Sequence, residues 1–390
     1  MRPTVGRRPF RNSPRGPTSF WSNATGRIRP STTVTTRPRS TSRGEAMTRQ
    51  TEHMRSRKHW GFSLVELIVV LALIGALVAS IVSLALRSQN AQTYAERNAA
   101  ATLVAQGVLD QIRRDVGSST RLFQNDSEGL SYLAGMDLTG LDMIAGRLPK
   151  IVSDGIFEKE TSTDPKTGNI LFFVRQDRTD RFDRSGGGDY VRIDVYRFIL
   201  YGLRLLPGKD PSKDLDAFDL VRWVSPPVGD LSQIESIADP TEQERVCAHL
   251  YAGTNPDEPS LPFAQMRYLW RPGGSFPAAF EEILVDGKRN PVPSGFQLPR
   301  DAAKSSPNLL NSRKLAISAN PGGASKGIGA FGILDTSGDG FPHGFETQIV
   351  GPASARQVLA HFVFVNTVRA KDNSKRVWIN FQTVVETRDL

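Results

Sequence analysis

The chain has 390 residues and a formal net charge of +9, long enough for one large domain or two small ones with an ample core. The charge is lopsided: residues 1–61 hold 14 Arg and Lys against two Glu, leaving 35 basic and 38 acidic residues downstream. That slightly acidic remainder argues against a nucleic-acid footprint on the folded part, and the single Cys247 excludes both an intramolecular disulfide and a cysteine-based zinc site.

Residues 1–46 are rich in Arg, Pro, Ser, Thr and Gly, with Glu45 the only acid. No apolar period runs through them, so their composition predicts disorder. Three readings of this stretch stand side by side: an organelle transit peptide, a nucleic-acid-binding tail, or a dispensable piece upstream of a true start at Met47 or Met54. A start at Met47 leaves a polar, basic leader without an apolar core of its own.

Residues 67–86 are apolar apart from Ser80 and Ser83, and about 20 such residues cross a bilayer as one helix. Arg55, Arg57, Lys58 and His59 stand just before the span, which places the N-terminus in the cytoplasm and the bulk of the chain outside. Residues 84–87 match a secretory cleavage site poorly. Glu66 sits at the head of the apolar run. A carboxylate in hydrocarbon costs roughly 2–3 kcal/mol, so a role is expected of it. Beyond the span, Tyr94, Ala101, Ala105, Val108, Ile112 and Val116 recur at helical spacing, with Leu109 widening the stripe. One helix over 62–116 is predicted, apolar all round in its first half and one-sided in its second, with Gly117 as its stop.

From about Thr120 the pattern turns to period two and β-branched or aromatic residues. Strands are predicted at 170–174, 191–200, 219–224, 266–270, 314–318, 358–365 and 377–385, the last two as a hairpin. Polar, Pro- and Gly-rich loops are expected over 202–216, 226–264 and 271–312. The expected fold is α+β: a long N-terminal transmembrane-plus-amphipathic helix packed on an antiparallel sheet. The expected domains are a leader, 1–61; the spanning half of the helix, 62–86; its amphipathic half, 87–117; and a globular domain, 118–390.

Gly61-Phe62-Ser63-Leu64-Val65-Glu66-Leu67, with its basic leader, single span and amphipathic continuation, resembles the processing signal of type IV pilins and type II secretion pseudopilins. The resemblance implies cleavage between Gly61 and Phe62 by a prepilin peptidase, and methylation of the new Phe62 amine. Glu66, fifth in the mature chain, matches the family's glutamate and would pair with the N-terminal amine of a neighbouring subunit. A buried carboxylate and a buried amine satisfy each other only on assembly, which selects the correct register. Other pilin subunits, the inner-membrane assembly platform and membrane lipid are the implied partners. The implied location is the bacterial inner membrane, with the C-terminal domain periplasmic. Cleavage after residue 61 leaves 329 of the 390 residues, the size of a minor subunit. The segment 109–115 and a hairpin pairing 196–201 with 220–223 are similar to the large minor pseudopilins of the J type. Paired C-terminal cysteines and a proline in the span, found in many major pilins, are absent. The alternative is a membrane-anchored periplasmic binding module that does not polymerise.

Segment 335–346 fits a twelve-residue calcium loop: oxygen ligands at Asp335, Ser337 and Asp339, a turn at Gly340, the Phe341 carbonyl, and Glu346 closing the site. Pro342, and the lack of helical patterns on its flanks, make it resemble bacterial and thrombospondin-type loops more than an EF-hand. Calcium there would pin a long loop that has no disulfide. Gly322 to Gly329 imitates a dinucleotide turn but leaves no room for the helix that would hold pyrophosphate. His361 reads as a strand side chain, and Cys247 with His249 shows no oxyanion site nearby. No constellation supports an enzyme.

Overall fold

The computed structural model describes residues 63–144, 146–157, 166–184, 190–210, 217–254, 265–307, 309, 315–317, 344–366 and 377–389. The chain divides into two units, Met1–Leu73 and Ile74–Leu390. In the first, helix α1 (Leu64–Gly117) begins, its Leu67 amide donating to the Ser63 carbonyl at 3.1 Å. In the second, α1 ends where Ser118 Oγ donates to the Arg114 carbonyl at 3.0 Å, satisfying one of the orphan carbonyls of the last turn.

Among the described residues, thirteen strands form one sheet. They are β1 (Ser119–Leu122), β2 (Ile151–Val152), β3 (Leu171–Asp183), β4 (Tyr190–Leu205), β5 (Phe218–Val224), β6 (Val228–Asp230), β7 (Tyr268–Trp270), β8 (Phe280–Ile283), β9 (Arg289–Pro291), β10 (Leu315–Ile317), β11 (Phe345–Val350), β12 (Arg356–Asn366) and β13 (Val377–Thr387). All pairings are antiparallel except β11 with β2 and β6 with β7. The expected hairpins are both present: Tyr201 lies opposite Arg222, and β12 pairs with β13 along their whole length. Each predicted strand has a counterpart, most of them longer than the sequence pattern suggested.

Alternation along the central strands gives the sheet two buried faces, and a third apolar cluster lies where β3 and β4 run past Leu231, Ile234, Cys247 and Leu250. Leu171, Phe173, Ile199, Leu203 and Leu220 face one way and pack with Ala105, Val108, Leu109, Ile112 and Val116 of α1. Phe172, Val174, Phe198, Leu200, Val221 and Trp223 face the other way, against Tyr132, Trp270 and Phe280. Burying Val108, Leu109, Ile112 and Val116 contributes on the order of 6–12 kcal/mol to the seating of α1, at about 1.5–3 kcal/mol each. Phe345, Phe362 and Phe364 of β11 and β12 reach the same helix-facing cluster.

Two expectations need correction. Tyr94, placed on the buried stripe, is 52% exposed; the stripe meets the sheet only from Ala101 onward. The loops expected over 202–216, 226–264 and 271–312 contain the end of β4, β6, β8, β9 and two helices, α3 (Leu231–Glu235) and α4 (Pro240–Ala252). Asp239 caps α4 by accepting from the Thr241 amide, Pro240 opens it, and Gly253 at φ 68° closes it. A further helix, α2 (Ser127–Ala134), is capped by Asp126.

Candidate functional site

Gly61 and Phe62 lie outside the described residues. Glu66 is described: it stands exposed in the first turn of α1, where the helix amides have no intrahelical partners. An acid at that end is favoured by the helix dipole, by about 0.3–1 kcal/mol in water. Around it every residue from Leu64 to Leu86 is exposed, including Leu67, Leu71, Leu77 and Ile81. The helix is long and apolar enough to cross a membrane, and no residue of its most apolar 18-residue stretch is buried in the fold. In hydrocarbon that arrangement leaves one charge unmet among the described residues, which a cation from outside the helix would satisfy.

The other end of α1 carries a charge that is met. Asp115 is fully buried on the helix face that packs against the sheet. Its carboxylate accepts from Arg175 Nη1 at 2.7 Å, Arg222 Nε at 2.7 Å, Arg222 Nη2 at 3.0 Å and Tyr201 Oη at 2.5 Å. Alternation brings these three donors to one side: Arg175, Tyr201 and Arg222 occupy the helix-facing positions of β3, β4 and β5. Burial and the Asp115 charge push the Tyr201 phenol well above its usual value, so it stays a donor. Arg222 is partly desolvated, but Asp115 and Tyr201 raise its affinity for a proton further. Sequence reasoning missed Asp115, although the signal was present. It lies three residues after Ile112 and seven after Val108, inside the apolar stripe.

The calcium-type set is not brought together among the described residues, which contain no cluster of three or more His, Cys, Asp or Glu suited to a metal. Asp335, Ser337, Asp339 and Phe341 lie outside them. Glu346 is fully buried in β11 and shares a hydrogen bond of 3.0 Å with His361 Nδ1 on β12. His361 is thus the strand side chain expected. Cys247 is buried in α4, and that burial pushes its thiol up to about 12. His249 is two positions along the same helix, so the two side chains face different ways, and His249 Nδ1 meets Thr254 Oγ1 at 3.3 Å. An open cleft of about 730 Å³ lies beside the end of α1, lined by Ser118, Thr179, Glu386 and Arg388 among others.

Residues 57–82 match the family model described as the prokaryotic N-terminal methylation motif. No curated protein and no solved structure matches the chain. The motif implies processing by a prepilin peptidase and contact with other pilin subunits, and it suggests a membrane-anchored structural subunit in place of an enzyme. With that motif at the head of an apolar helix that runs on into a sheet-rich domain, the chain is consistent with the type IV pilin and pseudopilin family.

Proposed function

We propose that the protein is a minor subunit of a type II secretion pseudopilus or a type IV pilus-like filament. It enters the inner membrane by α1 with its domain periplasmic, is cut between Gly61 and Phe62, methylated on Phe62, and packed into the filament. The observation that carries this reading is the methylation motif running directly into an exposed apolar helix whose one early charge is Glu66. On this reading Glu66 is an assembly contact that meets the amine of a neighbouring subunit. Assembly by that pairing favours one register, because any other leaves a charge stranded in hydrocarbon.

N-terminal sequencing of the membrane-extracted protein should begin at N-methyl-Phe62. A retained leader, or a start beyond residue 86, would sink the proposal. Glu66→Val should insert normally yet fail to enter sheared filaments, whereas incorporation at the wild-type level removes the ion-pair role. A wild-type protein that inserts and never co-purifies with other subunits would be the anchored, non-polymerising module.

We propose separately that segment 335–346 takes calcium, a reading supported by its ligand spacing. Glu346 is the one side-chain ligand of that set among the described residues, and His361 already engages one of its oxygens. Melts of the full chain with calcium and with a chelator should separate by several degrees; coincident melts discard the site.

A further inference from the structure

Arg222 holds two parts of the molecule at once. Its Nε and Nη2 donate to Asp115 of α1, while its Nη1 donates to the Lys304 carbonyl at 2.8 Å. A second line runs the same way. Asp115 takes Arg175 at 2.7 Å, Arg175 also holds Asp177 at 2.9 Å, Asp177 takes Arg197 at 2.9 Å, and Arg197 reaches Asp301 at 2.7 Å.

Asp301 in turn shapes the partly exposed loop 299–306. Its Oδ1 accepts from the Ala303 and Lys304 amides, and its own amide donates to the Val224 carbonyl at 2.8 Å. Ser306 exchanges backbone hydrogen bonds with Arg222 itself, at 2.9 and 2.8 Å. The loop is therefore closed on β5 by two arginines that also answer, directly or through Asp177, to the helix. The line alternates in sign, and Asp115, Arg197 and Arg222 are buried, so salt screens it weakly.

We propose that the seating of the C-terminal end of α1 and the closure of loop 299–306 are coupled, so that loosening either loosens the other. If Asp115 leaves, Arg222 becomes a buried cation with carbonyl and phenol partners only. It can recover solvation only by swinging out, which releases Lys304. If Asp301 leaves, Arg197 keeps the Ser225 carbonyl at 2.8 Å but has Asp177 as its one remaining carboxylate, drawing that carboxylate from Arg175 and so from Asp115. A surface loop thereby responds to how the anchoring helix is held. This coupling does not depend on the filament reading.

Amide hydrogen exchange on the full chain in detergent micelles tests it. Coupling is reciprocal by thermodynamic necessity. Asp115→Asn should speed exchange at the Asp301 and Ser306 amides about tenfold, and Asp301→Asn should do the same at 113–116 of α1. Asp286→Asn, in an exposed turn where the side chain accepts from the Lys288 amide, should leave α1 unchanged. Unaltered α1 exchange in Asp301→Asn overturns the proposal. So does a rise that spreads equally to β7 and β8, because that reports general destabilisation. Should Asp115→Asn fail to fold, the Asp301 arm decides alone.

Discussion

Replacing Asp115 by alanine removes the acceptor of four hydrogen bonds, strands the Arg222 guanidinium against a sheet face and leaves Arg175 with Asp177 as its carboxylate partner. Arg222 is only 11% exposed at its side chain and Arg175 22%, so neither regains full hydration without moving. Breaking a buried ion pair in this one-sided way costs about 3–5 kcal/mol, more than the net worth of the pair, because the desolvated partner remains. Set against roughly 6–12 kcal/mol of apolar burial on the same helix face, the loss does not unseat α1 outright but takes a large part of its margin. At about 2–4 °C per kcal/mol for a domain of this size, the melt should fall by roughly 6–20 °C. Asp115→Asn keeps one acceptor oxygen and should lie between alanine and the wild type. Tyr201→Phe deletes two hydrogen bonds, the phenol's donation to Asp115 and its acceptance from Arg222 Nε at 3.2 Å, and should cost about 1–2 kcal/mol. Thermal melts followed by circular dichroism, on the full chain in micelles, give the order. An Asp115→Ala protein that melts within a degree of the wild type would refute the claim that this carboxylate anchors the helix.

The other predictions concern the body of the domain. Burial opposes the charge of Asp177, but Arg197 and Arg175 outweigh it and hold the carboxyl below its ordinary 3.8. The native state therefore takes up that proton later than the unfolded chain does. Its contribution is intact above about pH 5 and is lost as pH falls through 3.8 and on below the folded value. Urea midpoints should drop between pH 6 and pH 3, with a shallower drop in Asp177→Asn; equal slopes would exclude this role. Cys247, buried and with its thiol pushed up to about 12, should resist maleimide at pH 8 until urea is added, and stoichiometric labelling of the native protein would contradict the packing. Gly287 has φ 82°, and a Cβ there would collide with the Glu244 carbonyl oxygen of α4. Gly287→Ala should cost at least about 1–3 kcal/mol by denaturant titration, and a neutral substitution would show that the turn can move away from α4.

The long helix was legible because its two halves write their surroundings directly into the sequence: apolar on all faces, then apolar on one. The central strands were legible for a similar reason, since a sheet packed on both sides demands β-branched and aromatic residues in near-continuous runs such as 170–174. Helix α4 was not read, although Asp239, Pro240 and Gly253 are its cap, first residue and stop. Those signals lay inside a polar stretch whose composition suggested a loop. Strand β11 was hidden by a different reading, in which Glu346 closed an acidic loop; the apolar residues around it, Phe345, Ile349 and Val350, are its core contacts. Asp115 escaped because an acid near a helix end is usually solvated. Only the three basic and phenolic side chains, brought from three strands, explain its burial, and no local spacing announces them.

The pairing of β3 with β4 slips by one residue between Gln176 and Arg178, which leaves Asp177 without an opposite number. A strand that lost Asp177 would still place Gln176 across from Tyr196, Arg178 across from Val195 and Phe182 across from Val191. Chain length at this point is thus uncoupled from which side of the sheet each later residue faces. The bulge adds a carboxylate beside Arg175 and Arg197 without rephasing the hairpin, and shortening by that one residue would remove the charge and keep the fold.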